Sequence, residues 1–142
     1  MRCLALDVGE KRIGLATSDE LGMGVWPQAT LQRKGREEDL EALIQVIQDR
    51  SIQMLVVGLP YNMDGTEGPQ ARKVKSFVSQ LKQALERKGI ALPIEWCDER
   101  LTSWEAEKRL SEKGKKGKKR KEEVDAMAAC LILEDYLERK KT

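Results

Sequence analysis

Arg-Cys-Leu-Ala-Leu-Asp-Val-Gly-Glu-Lys-Arg-Ile-Gly-Leu-Ala-Thr-Ser, residues 2 to 18, is the stretch on which the fold turns. Residues 2 to 8 read as a short buried strand ending at Gly9, and Arg12 to Ser18 as a second strand. The Gly-Glu-Lys between them is short enough for a hairpin. Gly24 to Leu31 reads as a third strand, with Pro27 better suited to an edge than to a central position. The chain therefore opens as an antiparallel meander.

Beyond residue 31 the hydrophobic period changes. Leu40, Leu43, Ile44 and Ile47 fall at i, i+3, i+4 and i+7, which predicts a helix over roughly 36 to 50. Met54-Leu55-Val56-Val57 reads as an apolar strand closed by Gly58. Val74, Phe77, Val78, Leu81 and Leu85 mark a second helix, with Pro69 in its first turn. Pro93 to Cys97 reads as another strand. Thr102-Ser103-Trp104-Glu105 has the form of a capping box opening a third helix, and Val124 to Leu137 reads as the last. No repeat or linker divides residues 1–142, so one domain is expected. A meander followed by alternating helix and strand predicts an α/β fold: a five-stranded mixed sheet with helices on both faces. Ligands of such sheets bind beyond the carboxyl ends of the parallel strands.

Composition narrows the chemistry. The chain has 142 residues, 40% of them hydrophobic and set in periodic blocks, enough for one packed core. No apolar run approaches the ~20 residues of a membrane span, and no signal peptide is expected. Cys3, Cys97 and Cys130 lie far apart, which suggests a reduced, cytoplasmic protein. Histidine is absent, removing Ser-His-Asp and Cys-His catalysis, His-ligated zinc and His general bases. The net charge is only +2, yet residues 113 to 121 carry seven positive charges and no acid, so the rest of the chain is net acidic. This segment reads as a basic flexible loop at about 112–121, either a solvated tail or a region that orders on a partner. With few aromatics nearby, backbone or shape recognition of nucleic acid suits it better than base stacking.

Acids stand at telling positions. Asp7 ends the first strand, and Asp98 and Glu99 end another. Solvated strand ends account for either one alone. Asp125 is different: its i+3, i+4, i+7 and i+11 neighbours are Ala128, Ala129, Ile132 and Tyr136, a stripe that faces the sheet. A carboxylate held there needs a cation, unless it simply caps a helix start, where the macrodipole favours negative charge. Oxygen ligands from separate elements, without His or Cys, suit Mg²⁺ or Mn²⁺, and two such ions can drive phosphodiester cleavage. The glycine-bearing stretches at 7–14 and 58–69 match no Walker or Rossmann pattern; ordinary turns, or close backbone approach, explain them.

Four motifs together resemble one family. Asp-Val-Gly-Glu-Lys-Arg-Ile-Gly-Leu-Ala (7–16), Val-Gly-Leu-Pro with Met-Asp-Gly-Thr-Glu-Gly-Pro-Gln-Ala (57–71), Asp-Glu-Arg-Leu-Thr-Ser (98–103) and Val-Asp-Ala-Met-Ala-Ala with Ile-Leu (124–133) are similar to the YqgF family, also called RuvX. These bacterial proteins are described as pre-16S rRNA nucleases and as Holliday junction resolvases. The resemblance implies an RNase H-like fold and metal-dependent hydrolysis of a phosphodiester bond, near the 5′ end of immature 16S rRNA. It implies Asp7, Glu99 and Asp125 as catalytic, metal-binding acids, with Asp98 as the alternative to Glu99. Neighbouring strand residues point to opposite faces, so only one of that pair is expected at the metal. Lys11, Arg12, Arg100, Lys115, Lys116, Lys118, Lys119, Arg120 and Lys121 are candidates for holding phosphates.

Three rivals stand beside this reading. A structure-selective endonuclease acting on four-way DNA junctions would use the same acids. A nucleotide-binding domain would share the early Asp-x-Gly turn, though one domain cannot close around ATP as two do. A catalytically silent RNA-binding factor for ribosome assembly would keep the acids without the reaction. Either a monomer or a homodimer is compatible with each.

Overall fold

The computed structural model describes residues 1–99 and 117–140. Strands β1 (Cys3–Val8), β2 (Arg12–Ser18), β3 (Val25–Pro27) and β4 (Leu31–Gln32) are followed by helix α1 (Arg36–Asp49). Then come β5 (Met54–Leu59), α2 (Pro69–Arg87), β6 (Ile94–Asp98) and α3 (Gly117–Lys140). The sheet order is β3-β2-β1-β5-β6, with β4 also on β2. The meander is antiparallel, while β5 and β6 run parallel to β1.

The sheet has six strands rather than five, because the expected third strand is split. Pro27 pairs with Ala16 and Leu31 with Ile13, so three intervening residues on one side face two on β2. The surplus residue and the missing N–H of Pro27 break the ladder there. Strand β5 continues through Gly58 to Leu59, beyond its expected end.

The last helix also begins earlier than expected. Residues 117–121 form the start of α3 rather than the end of a loop, and only 112–116 of that segment lie outside the described residues. The reason is intrinsic: Lys, Arg and Glu are good helix formers, and nothing after Gly117 interrupts them. The capping box at 102–105 lies outside the described residues. Helix α1 buries Leu43, Ile44 and Ile47 at the expected spacing, and α2 buries Val74, Phe77, Val78, Leu81 and Leu85, with Pro69 opening it.

Strand alternation divides the core in two. Leu4, Leu6, Val8, Ile13, Leu15, Leu55, Val57 and Leu59 pack against α1 and α2. The opposite face presents Cys3, Ala5, Ala16, Met54, Val56 and Cys97 to Ala129, Cys130, Ile132 and Leu133 of α3. The three cysteines are buried and free, and burial with Asp135 alongside pushes the Cys97 thiol up to about 12. They fill space rather than react.

Candidate active site

The α3 face of the sheet gathers the acids, and parity explains why. Asp7 follows Cys3 and Ala5 at two-residue intervals on β1, so it belongs to that face. Glu99 follows Cys97 in the same way. The Glu99 N–H donates to the Leu59 carbonyl (3.2 Å), which carries the β5–β6 pairing one residue past the strand. Asp98 belongs to the opposite parity and is partly exposed, whereas Glu99 is buried. The alternation thus separates the two acids and turns Glu99 inward.

Glycines open the space. Asp7 pairs in register with Gly14 on β2, and a Cβ at Gly14 would collide with the backbone carbonyl of Asp125. Helix α3 therefore crosses β2 backbone to backbone at this point. On β5 a Cβ at Gly58 would lie 2.6 Å from Glu99 Oε2 and would strike Ile132 as well. Both glycines carry the close approach at the site, where any larger residue would displace an acid-bearing element.

Asp7 and Glu99 share a side-chain hydrogen bond. Burial raises both, Asp7 to about 6 and Glu99 to about 10. Their mutual charge holds Glu99 high, Asp98 adds to it, and Asp125 lifts Asp7 further. Both shifts run toward proton retention, so the two carboxyls resist being ionised together.

Asp125 lies two turns inside α3, too far from the helix start for a first-turn dipole effect to account for it. Its neighbours Ala128, Ala129 and Ile132 are fully buried, as the stripe predicts. The cation it needs is supplied from within the chain: Arg12 Nε donates to Asp125 Oδ2 at 2.7 Å, both side chains 23% exposed. Thr30 Oγ1 donates to the Glu122 carbonyl (2.7 Å) and Gln32 Nε2 to Glu122 Oε1 (2.9 Å), anchoring α3 to the meander one turn earlier. These anchors have no sequence signal, because nothing local marks residues 90 apart as neighbours.

The donor set fits a hard divalent cation. It is made of carboxylates alone, and two of them, Asp7 and Glu99, are desolvated against each other, where a dication would relieve their repulsion. Among the described residues, however, no three Asp, Glu, Cys or His side chains already form a metal-binding group. Asp125 is engaged with Arg12 instead.

The phosphate candidates are less concentrated than expected. Lys11 and Lys121 are exposed, while Arg12 is committed to Asp125. The backbone of Lys118, Lys119 and Arg120 is helical. Arg100, Lys115 and Lys116 lie outside the described residues.

A mixed sheet of order β3-β2-β1-β5-β6, with α3 crossing β2 on one face and α1 and α2 on the other, is an RNase H-like fold. Solved structures share it: RuvC of Thermus thermophilus in complex with a Holliday junction substrate (TM-score 0.56, 13% identity, 99% of this chain and 96% of that one). The fowlpox virus Holliday junction resolvase is similar (TM-score 0.54, 14% identity, 99% of both chains). The family model for RuvX, described as Holliday junction resolvase, matches residues 1–139, and the chain belongs to this family of nucleases. Curated relatives include one from Anaeromyxobacter dehalogenans, 44% identical over 140 residues, 99% of this chain and 98% of its own. One from Thermoanaerobacter pseudethanolicus is 44% identical over 142 residues, covering 99% of each. Both carry the name "Putative pre-16S rRNA nuclease". Among the described residues no helix is long and apolar enough to cross a membrane.

Proposed function

We propose that this chain is a metal-dependent endonuclease that trims the 5′ end of pre-16S rRNA during ribosome maturation in the cytoplasm. The observation that carries the reading is the convergence of Asp7 from β1, Glu99 from the end of β6 and Asp125 from α3 on one face of the sheet, at the carboxyl ends of the parallel strands. The full-length relatives named for pre-16S rRNA support the choice of substrate.

Asp7, Glu99 and Asp125 would hold Mg²⁺ or Mn²⁺; strand parity favours Glu99 over Asp98 in this role. Bound there, such ions would supply a water of lowered pKa and positive charge for the leaving oxygen. The chain's own contribution is positional. Gly14 and Gly58 let α3 and Glu99 close on the strands, and burial keeps the carboxyls desolvated and mutually repelling. Lys11 and Lys121 are exposed and would take phosphates of the strand.

The test runs a labelled pre-16S 5′-leader RNA and a four-way DNA junction side by side, with Mg²⁺, Mn²⁺ or EDTA. Metal-dependent RNA cleavage, reduced about a hundredfold or more in Asp7→Asn and Asp125→Asn, is the expected result, on the order of other lost metal-site groups. Cleavage of the junction alone would transfer the site to DNA, the substrate in the family's description. Tight binding without cleavage of either would favour an assembly factor.

A further inference from the structure

Across the end of β1 from the acids lies a second feature. A cavity of about 270 Å³ is lined by Val8, Gly9 and Glu10 at the end of β1 and by Arg33, Arg36, Lys73 and Phe77. It sits on the α1/α2 side, since Val8 has the opposite parity to Asp7. Only Val8 lies between Asp7 and Gly9 on its wall, roughly 7 Å of extended chain. Three cations line it against the carboxylate of Glu10, and with Asp39 paired to Arg33 the balance is still positive.

The cations are set differently. Arg33 is preorganised: its Nε donates to Asp39 Oδ2 (3.0 Å), its Nη1 donates to the Gly9 carbonyl (2.8 Å), and the guanidinium lies 4.7 Å from the Phe77 ring centroid. Fixing two nitrogens of the fork removes most of the entropy cost of ordering it when an anion binds. Arg36 is exposed, and no carboxylate among the described residues pairs with it. Lys73 meets Glu10 at 3.2 Å, but both side chains are 67% exposed, so that pair is weak and readily exchanged for a stronger anion. None of these residues stands among the motif cations, and the cavity plays no part in holding the acids.

We infer that this cavity is a phosphate-binding subsite for the nucleic-acid strand, gripping the backbone across β1 from the cleavage point through Arg33, Arg36 and Lys73. The inference rests on the nuclease reading and adds to it the path of the substrate. A strand laid over the carboxyl ends of β1 and β5 would run from the acids into the cavity, with one phosphate held on each side of Gly9. Cations that grip phosphates position a strand without reading its sequence, in keeping with a chain that offers the backbone positive charge rather than a base-reading surface.

Binding in EDTA isolates the subsite from catalysis. Fluorescence anisotropy of a labelled single-stranded pre-16S leader RNA is followed against salt for the unaltered protein and for Arg36→Glu/Lys73→Glu. The double variant is expected to bind about tenfold more weakly or worse, with a salt slope shallower by about 0.7 for each phosphate it no longer neutralises. Arg36→Gln/Lys73→Gln should show a smaller loss in the same direction, and both variants sit on exposed positions that leave the melting temperature unchanged. The control is Arg87→Glu/Lys88→Glu at the far end of α2, which alters the net charge equally. Equal weakening by the control would reduce the effect to bulk charge and overturn the subsite, as would unaltered affinity and slope in the cavity variants. Competition by a mononucleotide against the unaltered protein only would assign the cavity to a free nucleotide and overturn the strand path. Failure of the unaltered protein to bind any nucleic acid would instead remove the nuclease reading itself.

Discussion

Toward α1 and α2 the strands present Leu4, Leu6, Ile13, Leu15, Leu55 and Leu59, and toward α3 the same strands present Cys3, Ala5, Asp7, Gly14, Ala16 and Gly58. The first face is thick, with large aliphatic side chains packed beneath two helices. On the second, small residues let one helix descend until its backbone meets β2. Bulk gives stability on one side, and its absence gives proximity on the other. The acids need that proximity, since carboxylates from β1, from the end of β6 and from α3 can meet only if α3 lies close to the sheet.

Substitutions that reverse the two faces should have opposite signatures. Leu6→Ala, on the aliphatic face, removes a fully buried side chain and is expected to cost about 2–5 kcal/mol by denaturant unfolding. Nuclease activity of the fraction that remains folded should survive. A parallel loss of activity in that fraction would show that the faces are not independent.

Gly14→Ala, on the face of small residues, adds one methyl group against the Asp125 carbonyl. Its stability cost is expected to be comparable, since helix backbone cannot yield as the end of a side chain would. Activity should nevertheless fall far more than in Leu6→Ala, because α3 must lift and carry Asp125 with it. Wild-type cleavage by a folded Gly14→Ala protein would refute the close approach as a requirement.

The acids themselves should destabilise the metal-free protein. Asp7 and Glu99 are raised above their unfolded values of 3.8 and 4.5, to about 6 and about 10. The native state therefore binds more protons than the unfolded one between these limits, and stability should fall as pH rises from about 4 toward 10. Thermal melts in EDTA would check the slope. Glu99→Gln is expected to flatten it above pH 6 and to raise the melting temperature at pH 8 by a few degrees. A slope of opposite sign would mean that the pair is not buried together.

The smallest effect belongs to Arg12. Its ion pair with Asp125 is part-exposed, so Arg12→Ala should cost no more than about 1 kcal/mol. Because it releases the third acid, the same change is expected to tighten Mn²⁺ binding measured by titration calorimetry. Weaker Mn²⁺ binding would show that Arg12 orients Asp125 for the metal rather than competing with it.

Much of the site is legible in linear form. The spacing of Ala128, Ala129 and Ile132 behind Asp125 is enough to turn that acid toward the sheet, and its need for a cation follows from burial. The hairpin, α1 and α2 are readable because local periodicity specifies which face is buried. Harder is the start of α3, where a charge run has the look of a loop although its residues favour helix. The split of the third strand is hidden too, since it depends on register against β2 rather than on composition.

The sequence by itself determined which residues are available: acids at strand ends, glycines in the turns, no histidine, and the periods that form strands and helices. Only the tertiary structure decided which of them meet. It placed Glu99 rather than Asp98 beside Asp7, paired Arg12 with Asp125, and brought Arg33, Arg36 and Lys73 around one cavity. The physical reason is that period and propensity act over a few residues, whereas proton sharing and ion pairing depend on distances of a few ångströms between elements remote in the chain. Those distances are set by register and by how closely a helix can settle on a sheet.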